Sequence, residues 1–502
     1  MIKDEKLRLA ILLSISLLLS IYLFFRTYVI SLDGAFQYIP VAKDFTSGFF
    51  KKALSHNQQP LYSLLMAFVF QWVSDFELAG KLVSTFFGIL MIFPVYFLGK
   101  RIFDEKIAFL SSLLLVIHPY IRRFSADVLK ESTYLFFLAT ALWFAWRTVE
   151  NRRRYSFLFI PLFPALAYLV RPDGIEVLLI VFFYILFIKK FDTPAKKWTI
   201  VLLLFLSSIL LFLPYLIHLR QTAGEWTLSR AKTFTWFLGL SGSTGEISWI
   251  DRLLFTLKKL NSEIFYIYHP LYILLSGIGL WERRASLFRG GQRFLLLFFT
   301  FHYLVLFLLV FNITEWDQGE TVRAVHFSGR HVLPLLLFSI YWVGEGLMAL
   351  HHWIYHKIES YSLLLRWEAK NRPMIVWGIL LLLILTIVLP KTLKPQRYER
   401  LPEKWAGQWI KNQSGRGMII FATLPRVAYY ADGSYEYVDL RKNTVDKIKA
   451  SMIEKKALYL VIREKDISDY TEEVKSIQKD FVEIIRFKQE GMEKIIIYKI
   501  IH

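Results

Sequence analysis

The chain has 502 residues, of which 55% are hydrophobic and 17% aromatic. Soluble proteins carry about 45–50% apolar residues, and here the excess is gathered into long runs. The net charge of +20 lies in short segments between these runs, a distribution that indicates membrane topology and not nucleic-acid binding. Because the chain has no cysteine, disulfides, thiolate metal sites and thiol nucleophiles are excluded.

Apolar runs follow one another through the first 390 residues. They cover 7–25, 60–73, 79–98, 107–119, 132–148, 157–170, 174–188, 200–217, 266–280, 294–311, 331–349 and 375–389. Most approach the roughly 20 residues that a helix needs to cross a bilayer. The first run has no small-residue cleavage site, so we interpret it as a retained span and not as a signal peptide.

Basic residues indicate which of these runs cross the membrane. The run 60–73 begins at Pro60 and is interrupted by Gln71. If it lies at the surface, every short basic loop is cytoplasmic, and basic residues are roughly three times denser on that side. We therefore predict eleven spans, within a range of about 11–13, a cytoplasmic N-terminus and a long external loop at 27–78.

The composition changes near Lys391, after which the sequence is mixed and charged. Short segments rich in β-branched and aromatic residues predict strands at 417–422, 457–462, 482–487 and 494–498. Helical periodicity appears at 401–413 and 444–454. We predict a polytopic α-helical membrane domain over 1–390 and a small extracytoplasmic α/β domain over 391–502.

Charged residues are concentrated in two predicted external segments. Asp33 follows the first span, where a carboxylate beside the membrane needs a partner or a function; a solvated loop aspartate is the alternative. The second segment contains Arg122, Arg123, Asp127 and Glu131. Guanidinium groups match phosphate oxygens, although a self-neutralising loop is equally consistent with this pattern.

Four further external cations are candidates for binding phosphate, namely Arg230, Lys232, Arg323 and Arg330. Basic and aromatic residues at an interface suit a lipid-phosphate substrate, or the bilayer itself. We interpret 171–174 as a simple turn whose arginine reaches the interface. His351, His352 and His356 have only Glu359 as a neighbouring carboxylate, so we predict no metal ligands and leave a divalent cation open as a cofactor.

The order of several motifs resembles a known family. They are Gln59-Pro60-Leu61-Tyr62, Leu98-Gly99-Lys100-Arg101-Ile102-Phe103, His118-Pro119 and Gly329-Arg330-His331-Val332-Leu333-Pro334. Together they resemble the GT-C superfamily of polyprenyl-phosphate-dependent glycosyltransferases, and within it the family 39, protein-mannosyltransferase-like and aminoarabinose-transferase-like bacterial enzymes. The segment 401–431, with Pro425-Arg426 and Tyr429-Tyr430, is similar to the extracytoplasmic domain of that family.

The resemblance implies roles for particular residues. Asp33 matches the catalytic aspartate, although Gly34 stands where many members have a second acidic residue. Glu131 best matches the second acidic position, with Asp127 as its rival. The implied donor-phosphate ligands are Arg122, Arg123, Arg230, Lys232, Arg323 and Arg330. The implied substrate pocket contains Gln37, Tyr38, Gln59, Tyr62 and His331, the last of which replaces the usual tyrosine.

The resemblance implies an inverting glycosyltransferase in the inner (plasma) membrane that uses a polyprenyl-phosphate sugar donor. The acceptor is a lipid, a polysaccharide or a protein. One alternative is a transporter or flippase for lipid-linked glycans, which would show charges deep within its spans and an inverted repeat. Another is a membrane scaffold whose external domain binds partners. Lipids of the bilayer are expected partners, and nucleic acid is not.

Overall fold

The described residues of the computed structural model form two compact units. These residues are 4–151, 154–188, 193–230, 248–317, 321–324, 327–360, 372–440, 444–468, 477 and 479–500. The first unit contains Met1–Tyr22 and Val41–Leu393, and the second contains Leu23–Pro40 and Lys394–His502.

The described residues of the first unit are helical apart from one small hairpin and short connections. Its helices are α1 (Glu5–Arg26, whose last turn belongs to the second unit), α2 (Ile39–Thr46), α3 (Phe50–Leu54), α4 (Leu61–Val73), α5 (Phe76–Leu90), α6 (Ile92–Ile102), α7 (Glu105–Ile117), α8 (Pro119–Ser125), α9 (Glu131–Asn151), α10 (Leu162–Tyr168), α11 (Glu176–Phe183), α12 (Pro194–Ala223), α13 (Trp249–Tyr268), α14 (Pro270–Glu282), α15 (Gly290–Ile313), α16 (Leu333–Ser360) and α17 (Arg372–Leu393). Strands β1 (Thr314–Asp317) and β2 (Thr321–Ala324) pair antiparallel. Shorter helical turns cover Arg154–Phe159, Pro172–Ile175, Tyr184–Ile188 and Gly329–Val332.

Six helices in the described residues are long and apolar enough to cross a membrane, and eight spans result if each of two bent pairs counts as one. The protein is therefore a multi-pass membrane protein, as predicted. The predicted number of eleven is larger partly because the apolar runs 157–170 and 174–188 form shorter helices, among them α10 and α11. The surface location of α4 stays a prediction.

Both bent pairs break at a His-Pro step. Helices α7 and α8 meet at 61° across His118, and α13 and α14 meet at 97° across His269. Proline disfavours helical geometry in the residue before it, and His118 is extended. His269 has a φ of 71°, which is rare for any residue except glycine. Each histidine caps the following helix, because its Nδ1 accepts a backbone N–H.

Helices α14 and α16 pack backbone against backbone. A Cβ atom at Gly279 would collide with the carbonyl oxygen of Trp342, and one at Gly346 would collide with that of Leu275. Small residues permit this approach between membrane helices, where dispersion contacts replace the hydrophobic effect as the cause of packing.

The second unit contains a mixed five-stranded sheet. Its strands are β3 (Ile419–Ala422), β4 (Ser434–Tyr437), β5 (Tyr459–Arg463), β6 (Phe481–Phe487) and β7 (Ile495–Ile500), in the order β4-β3-β5-β7-β6. Strand β3 is parallel to β4 and β5, and β7 is antiparallel to β5 and β6. Its helices are a short turn at Tyr398–Arg400, α18 (Leu401–Ser414), α19 (Pro425–Tyr430), α20 (Val445–Glu454) and α21 (Glu464–Ser468).

Alternation along the strands gives the sheet two buried faces. Ile420, Val461 and Ile497 lie in one apolar cluster with residues of α18 and α19. Phe421 and Leu460 lie in the other with residues of α20. A small C-terminal α/β region was predicted and is confirmed. The four predicted strands and two predicted helices match observed elements, whereas β4, α19 and α21 had not been predicted.

The second unit also includes residues 23–40, which the sequence had placed in the membrane domain and its external loop. Thr27 forms a parallel bridge with Gln396, and Ile30 is hydrogen-bonded to α19. The predicted boundary at residue 391 therefore lies close to the observed Lys394 but misses this N-terminal segment.

Candidate functional site

An ion pair in the first unit joins two of the residues predicted for the site. Glu131 is the first residue of α9, and its Oε1 lies 3.4 Å from Nη1 of Arg330 in the turn Gly329–Val332. The carboxylate is 3% exposed and the guanidinium 31%. The other oxygen, Oε2, has no hydrogen-bond partner within the described part of the chain.

Arg171 is hydrogen-bonded to the backbone of the Arg330 turn. Its Nε and Nη2 donate to the two carboxylate oxygens of Asp173 at 3.0 and 2.9 Å, and its Nη1 donates to the carbonyl oxygen of Arg330 at 3.3 Å. The guanidinium also lies 4.8 Å from the centre of the Tyr134 ring. Burial raises the pKa of Asp173, but Arg171 outweighs burial and holds that pKa below its usual range. The segment 171–174 is therefore more than a simple turn.

A second buried pair holds the next peptide of the same turn. Nε2 of His302 donates to the carbonyl oxygen of His331 at 3.1 Å, and Nδ1 lies 2.8 Å from Oε2 of Glu176. Because a carbonyl only accepts, Nε2 carries a proton. Consecutive carbonyl groups of the turn thus accept hydrogen bonds from two side chains, each of which is paired with its own carboxylate.

This second pair was missed from the sequence, although a signal was present. Glu176 lies near the start of the apolar run 174–188, and His302 interrupts the run 294–311. An ionisable residue within an apolar run indicates a function or a buried partner. His302 has Glu176 as its carboxylate partner and is hydrogen-bonded to the Arg330 turn.

Arg122 and Asp127 lie in buried structural positions. The guanidinium of Arg122 is fully buried and donates to Ser16 Oγ at 2.6 Å and to the Gly88 carbonyl at 2.8 Å. It thereby ties α8 to α1 and α5. Asp127 is also fully buried and accepts the Val128 N–H at 2.8 Å. The predicted roles, donor-phosphate ligand for Arg122 and rival second acidic residue for Asp127, stay predictions.

The other predicted cations are dispersed. Arg123 is half-buried in α8, and Arg230 donates to the Thr222 carbonyl at 3.3 Å. The backbone of Arg323 pairs with Glu315 in the hairpin, and its side chain is outside the described residues. Lys232 lies outside them entirely. Their phosphate-binding roles stay predictions.

Three predicted pocket residues belong to the first unit and are engaged in its packing. Gln59 bridges the Tyr215 hydroxyl at 2.7 Å and the Leu228 carbonyl at 3.2 Å. The Tyr62 hydroxyl is buried and donates to the Gly80 carbonyl at 3.1 Å. The ring of His331 is stacked on Phe327. Their substrate-binding roles also stay predictions.

Asp33, Gln37 and Tyr38 belong to the second unit. Asp33 is half-buried, has helical backbone angles and immediately precedes the helical turn Gly34–Tyr38, which continues into α2. The turn begins with hydrogen bonds to Ser31, whose Oγ accepts from the Gly34 N–H at 3.0 Å and whose carbonyl accepts from the Ala35 N–H at 3.1 Å. Gln37 is exposed and Tyr38 is buried.

Among the described residues, no group of three or more His, Asp or Glu side chains could hold a metal ion. The involvement of a divalent cation stays a prediction, and turnover with and without EDTA measures it.

Residues 56–218 match the family model of dolichyl-phosphate-mannose-protein mannosyltransferases. The structure is similar to that of ArnT from Cupriavidus metallidurans bound to undecaprenyl phosphate, with 12% identity, a TM-score of 0.60 and coverage of 98% of each chain. This chain is therefore similar to that mannosyltransferase family over residues 56–218. Its fold is also similar to the apo oligosaccharyltransferase of Archaeoglobus fulgidus, with 12% identity, a TM-score of 0.56 and coverage of 91% of this chain and 69% of the other.

At 12% identity, these two likenesses show the fold alone, and the family model covers residues 56–218. Comparison with curated protein sequences finds no significant match to this chain. The match from 56 to 218 contains Glu131 and the Arg171–Asp173 pair.

Proposed function

We propose that this protein is a GT-C glycosyltransferase that transfers a sugar, with inversion, from a polyprenyl-phosphate donor to an acceptor hydroxyl or amine at the extracytoplasmic face of the plasma membrane. The observation that carries the proposal is the Arg330 turn, which presents a half-exposed guanidinium while two buried side chains hold its backbone. A donor of this class is supported by the solved ArnT structure, which contains undecaprenyl phosphate.

The donor phosphate is assigned to Arg330. As the sugar leaves, negative charge grows on the phosphate oxygens, and a fixed guanidinium stabilises that charge without reorganising during the reaction. Glu131 orients Arg330 from one side, and the Arg171 bond to its carbonyl fixes the backbone. Phosphate is a good leaving group, so the site needs cations more than it needs a general acid.

Asp33 is assigned as the base that deprotonates the acceptor. In one displacement, the acceptor oxygen or nitrogen bonds to the anomeric carbon while the bond from that carbon to the phosphate oxygen breaks. The bonding electron pair stays with the phosphate oxygen, and the acceptor proton passes to the Asp33 carboxylate. A positioned base of this kind contributes about 10²–10⁴ in rate, and a single displacement inverts the anomeric centre.

The extracytoplasmic location is also proposed. It is supported by the density of basic residues in the predicted cytoplasmic loops, which follows the positive-inside rule. A polyprenyl-phosphate donor holds its phosphate at the headgroup level and its tail in the lipid, which suits a site at a membrane face.

The experiment measures transfer from a labelled polyprenyl-phosphate sugar by purified full-length protein and by Arg330→Ala. Loss of one cation at the departing charge should lower kcat/KM by about 10²–10³, and Arg330→Lys should recover part of it. Arg283→Ala is the matched control, since Arg283 forms an ion pair with Glu345 at similar exposure, 34% and 8%.

Arg283→Ala should leave transfer within about twofold of wild type, a range that corresponds to under 0.5 kcal/mol. Equal losses in Arg330→Ala and Arg283→Ala would contradict the donor-site assignment. They would indicate a general loss of folded protein, which the thermal unfolding temperature of each variant measures separately.

A further inference from the structure

The segment 26–30, which lies between α1 and Asp33, is hydrogen-bonded along its length to the C-terminal part of the second unit. Gln396 donates its N–H to the Arg26 carbonyl at 2.9 Å and accepts from the Tyr28 N–H at 3.3 Å. Its side chain donates to Thr27 Oγ1 at 2.8 Å. Arg397 Nε donates to the Val29 carbonyl at 2.6 Å.

Ile30 is held at both of its backbone polar groups. Its N–H donates to the Tyr430 hydroxyl at 2.8 Å, and its carbonyl accepts from Arg426 Nε at 2.8 Å. Both side chains come from α19. These partners are 400 and 396 residues away in sequence.

The arginine that holds Ile30 is itself fixed. Nη1 of Arg426 lies 3.3 Å from both carboxylate oxygens of Glu403, and the two residues are 6% and 0% exposed. A buried guanidinium has few alternative partners, so its Nε direction is determined by this pair. The Ile30 carbonyl is consequently bound to a rigid donor and not to a flexible surface side chain.

The simpler explanation is that these bonds only satisfy buried backbone groups, as any folded protein must. Two features indicate more. The bonds end three residues before Asp33, and Ser31 then starts the Asp33 turn by accepting from both Gly34 and Ala35. A side-chain hydroxyl and a paired arginine thus determine the direction in which the chain enters that turn.

We propose that Arg426 and Tyr430 are positioning residues, through which the C-terminal domain orients the Asp33 carboxylate for reaction. This inference rests on the proposed role of Asp33 as the base. It gives the C-terminal domain a function in the chemical step, since displacement of a reacting group by about 1 Å can lower the rate by about 10².

The test begins with hydrogen exchange of the 26–30 segment in the full-length protein. Tyr430→Phe removes only the hydroxyl that accepts the Ile30 N–H, and exchange at Ile30 should accelerate. Arg426→Gln removes the donor to the Ile30 carbonyl and the partner of Glu403. Tyr437→Phe is the matched control, because Tyr437 lies on the edge strand β4 and is 62% exposed.

Turnover then separates positioning from structure. Tyr430→Phe should lower kcat about tenfold and Arg426→Gln about a hundredfold, with the KM for the donor unchanged. Arg426→Lys should restore part of the loss. Tyr437→Phe should leave exchange and kcat unchanged. Because Tyr430→Phe is nearly isosteric, it decides the outcome if Arg426→Gln fails to fold.

Unchanged exchange at Ile30 in Tyr430→Phe would overturn the inference, and so would faster exchange with a wild-type kcat. In either case Asp33→Asn should still abolish transfer, and the proposed function would stand. If Asp33→Asn retains wild-type turnover, the proposed function itself fails, whatever the exchange data show.

Discussion

At the residue scale, buried ionisable side chains fix the backbone of the Arg330 turn through hydrogen bonds. Arg171 and His302 are each paired with a carboxylate, and each donates to one carbonyl of the turn. Desolvating such groups costs several kcal/mol unless their hydrogen bonds are made. Arg171 and His302 each donate a further hydrogen bond to the backbone of the turn that carries Arg330.

The Arg171–Asp173 pair predicts an acid-dependent loss of stability. Asp173 has a folded pKa below its ordinary value of about 3.9. The contribution of its ionised carboxylate to the free energy of unfolding is therefore fully present above about pH 4, and it is lost as the pH falls through the folded pKa. Asp173→Asn leaves Arg171 buried without its partner and should lower the unfolding free energy by about 3–5 kcal/mol at pH 7.

Thermal unfolding of both proteins from pH 7 to pH 3 measures this effect. The difference in Tm between wild type and Asp173→Asn should be largest at neutral pH and should shrink below about pH 4. A difference that stays constant down to pH 3 would show that Asp173 is not held ionised by Arg171.

Charge pattern and family resemblance together identified Asp33, Glu131 and Arg330 as candidate site residues, and their catalytic and phosphate-binding roles stay predictions. The structure pairs Glu131 with Arg330. Arg122 has the same local pattern but points into the helices, where Ser16 and Gly88 bind it. Its direction depends on helix packing, which local charge patterns do not contain.

At the element scale, short segments rich in β-branched and aromatic residues predicted the C-terminal strands, because such side chains pack well on a pleated surface. Strand β4 was not predicted because its four residues, Ser434–Tyr437, include no β-branched side chain. The break at His269 is a further case. The following proline favours a non-helical residue, but the positive φ and the 97° bend depend on the packing of α14.

The close contact between α14 and α16 predicts a sharp difference between two glycines of one helix. Gly279→Ala would place a methyl group against the Trp342 carbonyl, whereas nothing lies within 4 Å of a Cβ at Gly277. We expect Gly279→Ala to cost about 1–3 kcal/mol.

Gly277→Ala should be neutral or slightly stabilising, because alanine favours helix over glycine by about 0.5–1 kcal/mol. Thermal unfolding in the same detergent compares the two variants. Similar Tm values for both would contradict the close backbone approach of α14 and α16.

At the scale of the whole molecule, composition and charge predicted a multi-pass membrane protein with a C-terminal α/β region, and both are confirmed. The membership of residues 23–40 in the second unit was not predictable from local sequence. It depends on hydrogen bonds between residues nearly 400 positions apart, such as Ile30 with Arg426 and Tyr430.

This grouping places the segment that bears Asp33 in the same unit as the C-terminal α/β region. The segment that bears Asp33 is continuous with α1, yet its backbone partners come from the C-terminal region. Loss of the C-terminal region would therefore leave the polar backbone groups of 26–30 without these partners.

The most direct test is transfer of labelled sugar from a polyprenyl-phosphate donor by the purified full-length protein and by Asp33→Asn. We predict measurable transfer by the wild type and a loss of about 10²–10⁴ in kcat for Asp33→Asn, with an unchanged Tm and unchanged donor binding. Wild-type turnover in Asp33→Asn, or no turnover by the wild type with any donor of this class, would contradict the proposed glycosyl transfer at Asp33.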